Sequence, residues 1–166
     1  MSDFGFYSAY ELFSKQFESR EALIDQILYE KDSVILAGKP KIGKSVLLFQ
    51  LICSLTSGEP FLDRFEVRRK CKVVYVQLEG SLSDSKDRSL NNDNFFVLFT
   101  PPLQLNNPNV LAKLIRDIEQ KAGKIDVIII DPIYFSIKGS LSDDEAVRDF
   151  TGNMRILQEH FGCACI

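Results

Sequence analysis

Residues 33–55 constrain the fold of this chain more than any other stretch. Ser33-Val34-Ile35-Leu36-Ala37 is a short, β-branched apolar run. Gly38-Lys39-Pro40-Lys41-Ile42-Gly43-Lys44-Ser45 follows as a glycine-bounded loop. From Val46 to Leu55 the chain is apolar enough, and long enough, for a buried helix. The loop fits G-x-x-x-x-G-K-[ST], the phosphate-binding pattern, and that pattern requires a strand before it and a helix after it. Gly38 and Gly43 let the backbone turn tightly and approach phosphate oxygens. Successive N–H groups then form an anion nest, reinforced by the positive end of the helix. The residues expected to contact nucleotide are Gly38, Lys39, Pro40, Lys41, Ile42, Gly43, Lys44, Ser45 and Val46. Lys44 is placed to reach the β- and γ-phosphates, and the Ser45 hydroxyl to ligate Mg²⁺.

Bulk properties narrow the class. A chain of 166 residues suffices for one domain with a core. Its 45% hydrophobic and 26% charged residues are ordinary for a globular protein, and a net charge of −3 excludes a general polycation. No apolar run reaches the length of a membrane span, and the first residues lack the basic and apolar regions of a secretory signal. The four cysteines, Cys53, Cys71, Cys163 and Cys165, form no C-x-x-C pair. They read as buried free thiols of a reducing compartment, which points to the cytoplasm. Cys163-Ala164-Cys165 has no second pair to complete a metal site.

In chain order, two helices are expected early. Ser8 to Phe13 opens with a capping box, Ser8 and Glu11. Ser19 to Leu28 carries the second helical pattern. The helix after the loop should stop near Thr56-Ser57-Gly58-Glu59-Pro60. Arg68-Arg69-Lys70-Cys71-Lys72 is a basic run, either a solvated turn or a contact to a nucleic-acid backbone. Lys72 to Leu78 is almost continuously apolar, so it predicts a strand buried on both faces and ended by Glu79-Gly80. Phe95 to Phe99 predicts another strand, and Asn109 to Lys121 a helix with Gly123 behind it. Val127-Ile128-Ile129-Ile130-Asp131 is an apolar strand ending in an acid, the Walker B pattern, with Asp131 reaching Mg²⁺ or its water. A last helix begins at Asp143-Asp144-Glu145 and ends at Gly162. Strands alternating with helices predict an α/β fold with a mainly parallel sheet flanked by helices.

With these motifs placed, the chain resembles the RecA/DnaB-like branch of P-loop ATPases, most closely the RepA-type hexameric helicase group of AAA-labelled ATPases. The resemblance covers roughly residues 27–166. It rests on the loop from Ala37 to Ser45, on Ser57-Gly58-Glu59-Pro60-Phe61-Leu62, on Val74-Tyr75-Val76-Gln77-Leu78-Glu79-Gly80-Ser81, and on Val127-Ile128-Ile129-Ile130-Asp131-Pro132. It implies a RecA-like core over 31–166, preceded by an N-terminal helical segment over 1–30. It implies ATP and Mg²⁺ as ligands, Lys44 and Glu79 as catalytic residues with Glu79 polarising the attacking water, and Ser45 and Asp131 at the metal. Independently, a carboxylate beside the γ-phosphate can orient water for in-line attack. Arg88 falls where related sequences often carry an arginine. The strand after the last helix, which in similar folds lies between the P-loop strand and the Walker B strand, stops at Ile166. The chain is therefore expected to be a piece of a longer ATPase, and His160 is a poor substitute for the polar sensor of that strand.

The resemblance implies an ATPase domain that couples hydrolysis to movement on single-stranded DNA in replication or recombination. It implies a homo-oligomer, a hexameric ring, and no membrane. A nucleotide-dependent switch or partition-type ATPase is the alternative, because Lys39 lies five residues before Lys44. Pro40 and Lys41 stand where such proteins have glycines, so the match is poor. Nothing resembles the lid of a small-molecule kinase, and no N-K-x-D guanine motif is present.

Overall fold

The computed structural model describes residues 6–16, 20–81, 92–140 and 142–166. Its centre is a four-stranded parallel sheet. In chain order the strands are β3 (Val73–Gln77), β4 (Phe95–Phe99), β5 (Val127–Asp131) and β6 (Ala164–Cys165), and their spatial order is β4-β3-β5-β6. Before them come helix α1 (Ala9–Ser14), an antiparallel hairpin of β1 (Ala22–Ile24) and β2 (Leu28–Tyr29), and helix α2 (Lys44–Ser57). Helices α3 (Pro108–Lys121) and α4 (Asp144–Phe161) complete the order. This is the expected α/β architecture.

Every residue of β3 is buried, as its unbroken apolar run demands. Alternation along the strands splits the core in two. Val73, Tyr75, Val127 and Ile129 face α2 and the hairpin, where Phe49, Ile52 and Leu55 pack. Val74, Val76 and Ile128 face α3 and α4, where Leu114, Ile118, Phe150 and Leu157 pack. Each such side chain taken fully out of water contributes about 1.5–3 kcal/mol. The helix ends follow their local signals. Gly58 and Gly162 cap α2 and α4 in the left-handed conformation, and the Asp143 side chain accepts from the Glu145 and Ala146 N–H groups. Asn107 caps α3, with Pro108 in its first turn.

Two expectations are corrected. The second helix expected over 19–28 does not form: Ser19 lies outside the described residues, and residues 20–30 hold the β1–β2 hairpin. A helix would bury Leu23, Ile24, Ile27 and Leu28 together, yet Ile27 is exposed while the other three are buried. The backbone bonds instead to a distant segment, with Asp25 N–H donating to the Glu66 carbonyl at 3.0 Å and Arg68 N–H to the Leu23 carbonyl at 3.1 Å. Tertiary pairing here overrides a weak helical propensity. The predicted α1 does form, with both halves of the Ser8–Glu11 capping box, and none of its residues is buried.

The second correction concerns residues 33–37, which form no ladder strand. Ser33 alone bridges Cys165, in the parallel sense. The Cys165 N–H donates to the Asp32 carbonyl and the Val34 N–H to the Cys165 carbonyl, both at 2.8 Å. The lead-in to the loop therefore lies beside β6, on the side away from β5, as the resemblance implied for the P-loop segment. The Gln158 amide on α4 fastens the same stretch by donating to the Lys31 carbonyl at 3.2 Å and the Asp32 carbonyl at 2.7 Å.

Candidate functional site

The loop itself is exposed from Gly38 to Gly43. Lys41 has φ 62° and Gly43 φ 97°, so the backbone passes through the left-handed region twice before the helix starts. At Gly38 a Cβ would come within 3.3 Å of the Ile42 side chain, which shows how closely the loop folds on itself. The Lys44 ammonium donates to the Gly38 and Lys39 carbonyls, each at 2.9 Å, and so ties the loop back onto the first turn of α2. Lys39, Lys41 and Lys44 bring three positive charges to a helix N-terminus, an electrostatic setting for a polyanion. Ile42 and Val46 are largely exposed beside them.

The two carboxylates come from the carboxyl ends of adjacent strands. Gln77, the last residue of β3, is in register with Asp131, the last of β5, and the Leu78 N–H donates to the Asp131 carbonyl at 2.9 Å. Parity along the strands puts Asp131 on the same sheet face as Tyr75 and Ile129, which is the α2 face. Glu79 follows two residues after Gln77. The Gln77 amide donates to the Glu79 carbonyl at 2.8 Å and the Ser81 carbonyl at 3.2 Å, shaping the turn that carries Glu79.

Two tyrosines that sequence reading did not single out hold these acids crosswise. Tyr75 of β3, only 3% exposed, donates its hydroxyl to Oδ2 of Asp131 at 2.8 Å. Tyr134, just beyond β5, donates to Oε2 of Glu79 at 3.1 Å. That bond to Glu79, followed by lost solvation and the charges of Glu79 and Asp131, raises the Tyr134 phenol above its ordinary value. Phe49 of α2 packs edge-on against Tyr75, with ring centroids 5.3 Å apart. Ser45 lies one helical turn before Phe49, on the same side of α2. The path Ser45–Phe49–Tyr75–Asp131 thus joins the head of α2 to the end of β5. The signal for Tyr75 was present: a tyrosine inside a run buried on both faces needs a partner for its hydroxyl.

Among the described residues no direct hydrogen bond or ion pair joins any two of Lys44, Ser45, Glu79 and Asp131. They share one end of the sheet and are organised through their neighbours. Arg88 lies outside the described residues. His160 pairs with Glu119 at 2.9 Å on the surface between α4 and α3. Most of the basic run is engaged within the fold. Arg68 pairs with Asp25, Arg69 bonds Glu21, Glu30 and Asp126, and Lys72 donates to the Ala122 carbonyl at 2.8 Å. All four cysteines are free thiols, with Cys71 and Cys163 buried. Burial first, then the Asp126 charge, pushes the Cys71 thiol up to about 12. The Cys163 hydrogen bond, with burial, raises Cys165. No group of residues suited to a metal, of three or more His, Cys, Asp or Glu, occurs among the described residues. No helix among them is long and apolar enough to cross a membrane.

A protein-family model described as an AAA domain matches residues 7–166. The chain belongs to the AAA-domain family. With its parallel sheet, its loop and its two strand-end acids, it is a RecA-like P-loop ATPase domain. Over 101 residues, 61% of this chain, it is 31% identical to the DNA repair protein RadA of Rickettsia bellii (strain RML369-C). That stretch is 19% of the relative's length. The donor set fits a hard divalent cation: a hydroxyl at Ser45 and a carboxylate at Asp131, both oxygens, placed on the same sheet face.

Proposed function

We propose that this domain binds Mg²⁺·ATP at the 38–46 loop and hydrolyses it. The observation that carries the proposal is the Ser45–Phe49–Tyr75–Asp131 path. It links the helix that follows the loop, through Phe49 and Tyr75, to the acid ending β5, while Glu79 follows the neighbouring strand at the same end, and this supports the reading.

In this reading the backbone N–H groups of residues 38–45 receive the phosphates. Lys44 exchanges the Gly38 and Lys39 carbonyls for phosphate oxygens, and Glu79 orients the attacking water. Ser45 and Asp131 would hold Mg²⁺, and the ion would supply positive charge beside the phosphate oxygens. Phosphoryl transfer needs little more from the protein than positioning and charge, and these residues supply both.

The cellular role we assign is DNA recombination or repair. It is supported by the likeness to RadA and by the resemblance to replicative helicases of the RepA type. Single-stranded DNA is the proposed partner, and a homo-oligomeric ring the proposed assembly. Most of the basic run over 68–72 is engaged in internal pairs, so a DNA contact falls to other surfaces.

The test is equilibrium binding of Mg²⁺·ATP to the 166-residue chain, alongside Lys44→Ala and Glu79→Gln. Binding is expected in the wild type, weakened at least tenfold by Lys44→Ala and preserved in Glu79→Gln, with Glu79→Gln abolishing turnover. A folded chain that binds no nucleotide, or whose binding ignores Lys44→Ala, overturns the proposal.

A further inference from the structure

We propose that Tyr75 is a positioning residue for the metal acid: its buried hydroxyl fixes the Asp131 carboxylate so that Asp131 presents its other oxygen to the cation. The inference rests on the proposed role of Asp131 and goes one residue deeper.

Four observations support it. Tyr75 is 3% exposed, so its ring is clamped in the core and its hydroxyl cannot turn to bulk water. The hydroxyl donates to Oδ2 of Asp131 at 2.8 Å, the usual length of a well-formed O–H···O bond. Oδ1 carries no protein partner among the described residues. Finally, the Tyr75 ring is itself held by Phe49, one turn after Ser45. One aromatic pair thereby couples the helix carrying the hydroxyl ligand to the strand carrying the carboxylate ligand.

A carboxylate at a strand end can rotate about two side-chain torsions. A donor locked in the core selects one orientation before the metal arrives, and so removes an ordering cost from metal binding. Groups that orient a ligating side chain in this way typically change metal affinity by about 10–100-fold when removed.

Tyr75→Phe is the decisive variant, because it keeps the ring and its contact with Phe49 and deletes only the hydroxyl. Mn²⁺, as a paramagnetic stand-in for Mg²⁺, is titrated into the full chain loaded with a non-hydrolysable ATP analogue, and free Mn²⁺ is read by electron paramagnetic resonance. Nucleotide affinity is measured separately in EDTA, and Asp131→Asn is the reference. Tyr75→Phe should weaken Mn²⁺ binding by about tenfold and leave metal-free nucleotide affinity unchanged. Wild-type Mn²⁺ affinity in Tyr75→Phe, with loss in Asp131→Asn, overturns the role of Tyr75 alone. Wild-type affinity in Asp131→Asn overturns the role of Asp131 and this inference with it. Equal loss of metal-bound and metal-free nucleotide affinity in Tyr75→Phe assigns the hydroxyl to folding only and also overturns it.

Discussion

Tyr134 donates its hydroxyl to Oε2 of Glu79 at 3.1 Å, across the gap between the segments that follow β5 and β3. The bond needs the neutral phenol, so it favours the protonated form of Tyr134 in the folded chain. The Glu79 bond is the first cause of that shift, and the folded value lies above the ordinary 10.0. The sign follows. Any stability from this pair is fully present below about pH 10 and is lost as pH rises through the raised folded value. A tyrosine-labelled NMR titration should show Tyr134 with a midpoint above the ordinary value, and Glu79→Ala should return it there. An unmoved midpoint would sink the pairing.

Gly43 carries φ 97° at the head of α2, and a Cβ there would meet nothing within 4 Å. Alanine is therefore opposed by backbone conformation alone. Gly43→Ala should cost about 1–2 kcal/mol in urea unfolding, and should weaken nucleotide binding because the loop must re-form around a disfavoured residue. An alanine variant with wild-type stability and affinity would show that the loop does not depend on this conformation.

Arg69 gathers Glu21, Glu30 and Asp126 at 3.3, 2.9 and 2.7 Å, and so fastens the hairpin to the start of β5. Burial works against the guanidinium charge, but the Asp126 hydrogen bond and charge outweigh it and raise the group further. Asp126 is 16% exposed and also accepts the Lys72 N–H at 2.7 Å. Arg69→Ala leaves that carboxylate without its cation. The site is partly open to solvent, so the expected loss is about 2 kcal/mol, between exposed and buried pairs. Arg69→Lys should recover less than half, since one ammonium cannot serve three acids in a fork. Chemical denaturation of both variants checks this, and a loss below about 0.5 kcal/mol would mean the hairpin is held by its apolar residues instead.

Much of the architecture could be read from residue order. The runs at Val73, Phe95 and Val127 are too apolar and too short for anything but strands, those at Val73 and Val127 mostly buried and that at Phe95 half-buried. Asp143 and Gly162 mark the ends of α4, and Gly58 the end of α2, through local chemistry. What escaped depends on partners far along the chain. The hairpin over 20–30 has helical spacing, but Glu21 and Glu30 find Arg69, and Asp25 finds Arg68, some forty residues on. Ile35 resembles a core strand residue, yet it is 78% exposed and lies beyond the single Ser33–Cys165 bridge. At the candidate site, the glycine-bounded loop and the places of Glu79 and Asp131 at the strand ends could be read from the sequence. The partners of Tyr75 and Tyr134 could not, because a tyrosine in a buried strand signals that its hydroxyl needs a partner but not which one.

The Ser33–Cys165 bridge has a consequence in time. Gln158 and Cys165, more than 120 positions later, supply the long-range hydrogen bonds to residues 31–34 among the described residues. During synthesis, residues 38–45 therefore leave the ribosome well before these two partners exist. At roughly 5–20 residues per second the wait is about 6–24 seconds. For that interval the nascent chain carries a lysine-rich, glycine-bounded loop with no sheet behind it. On the proposed reading, the nucleotide site built on this loop is completed only after the last helix and β6 have been made.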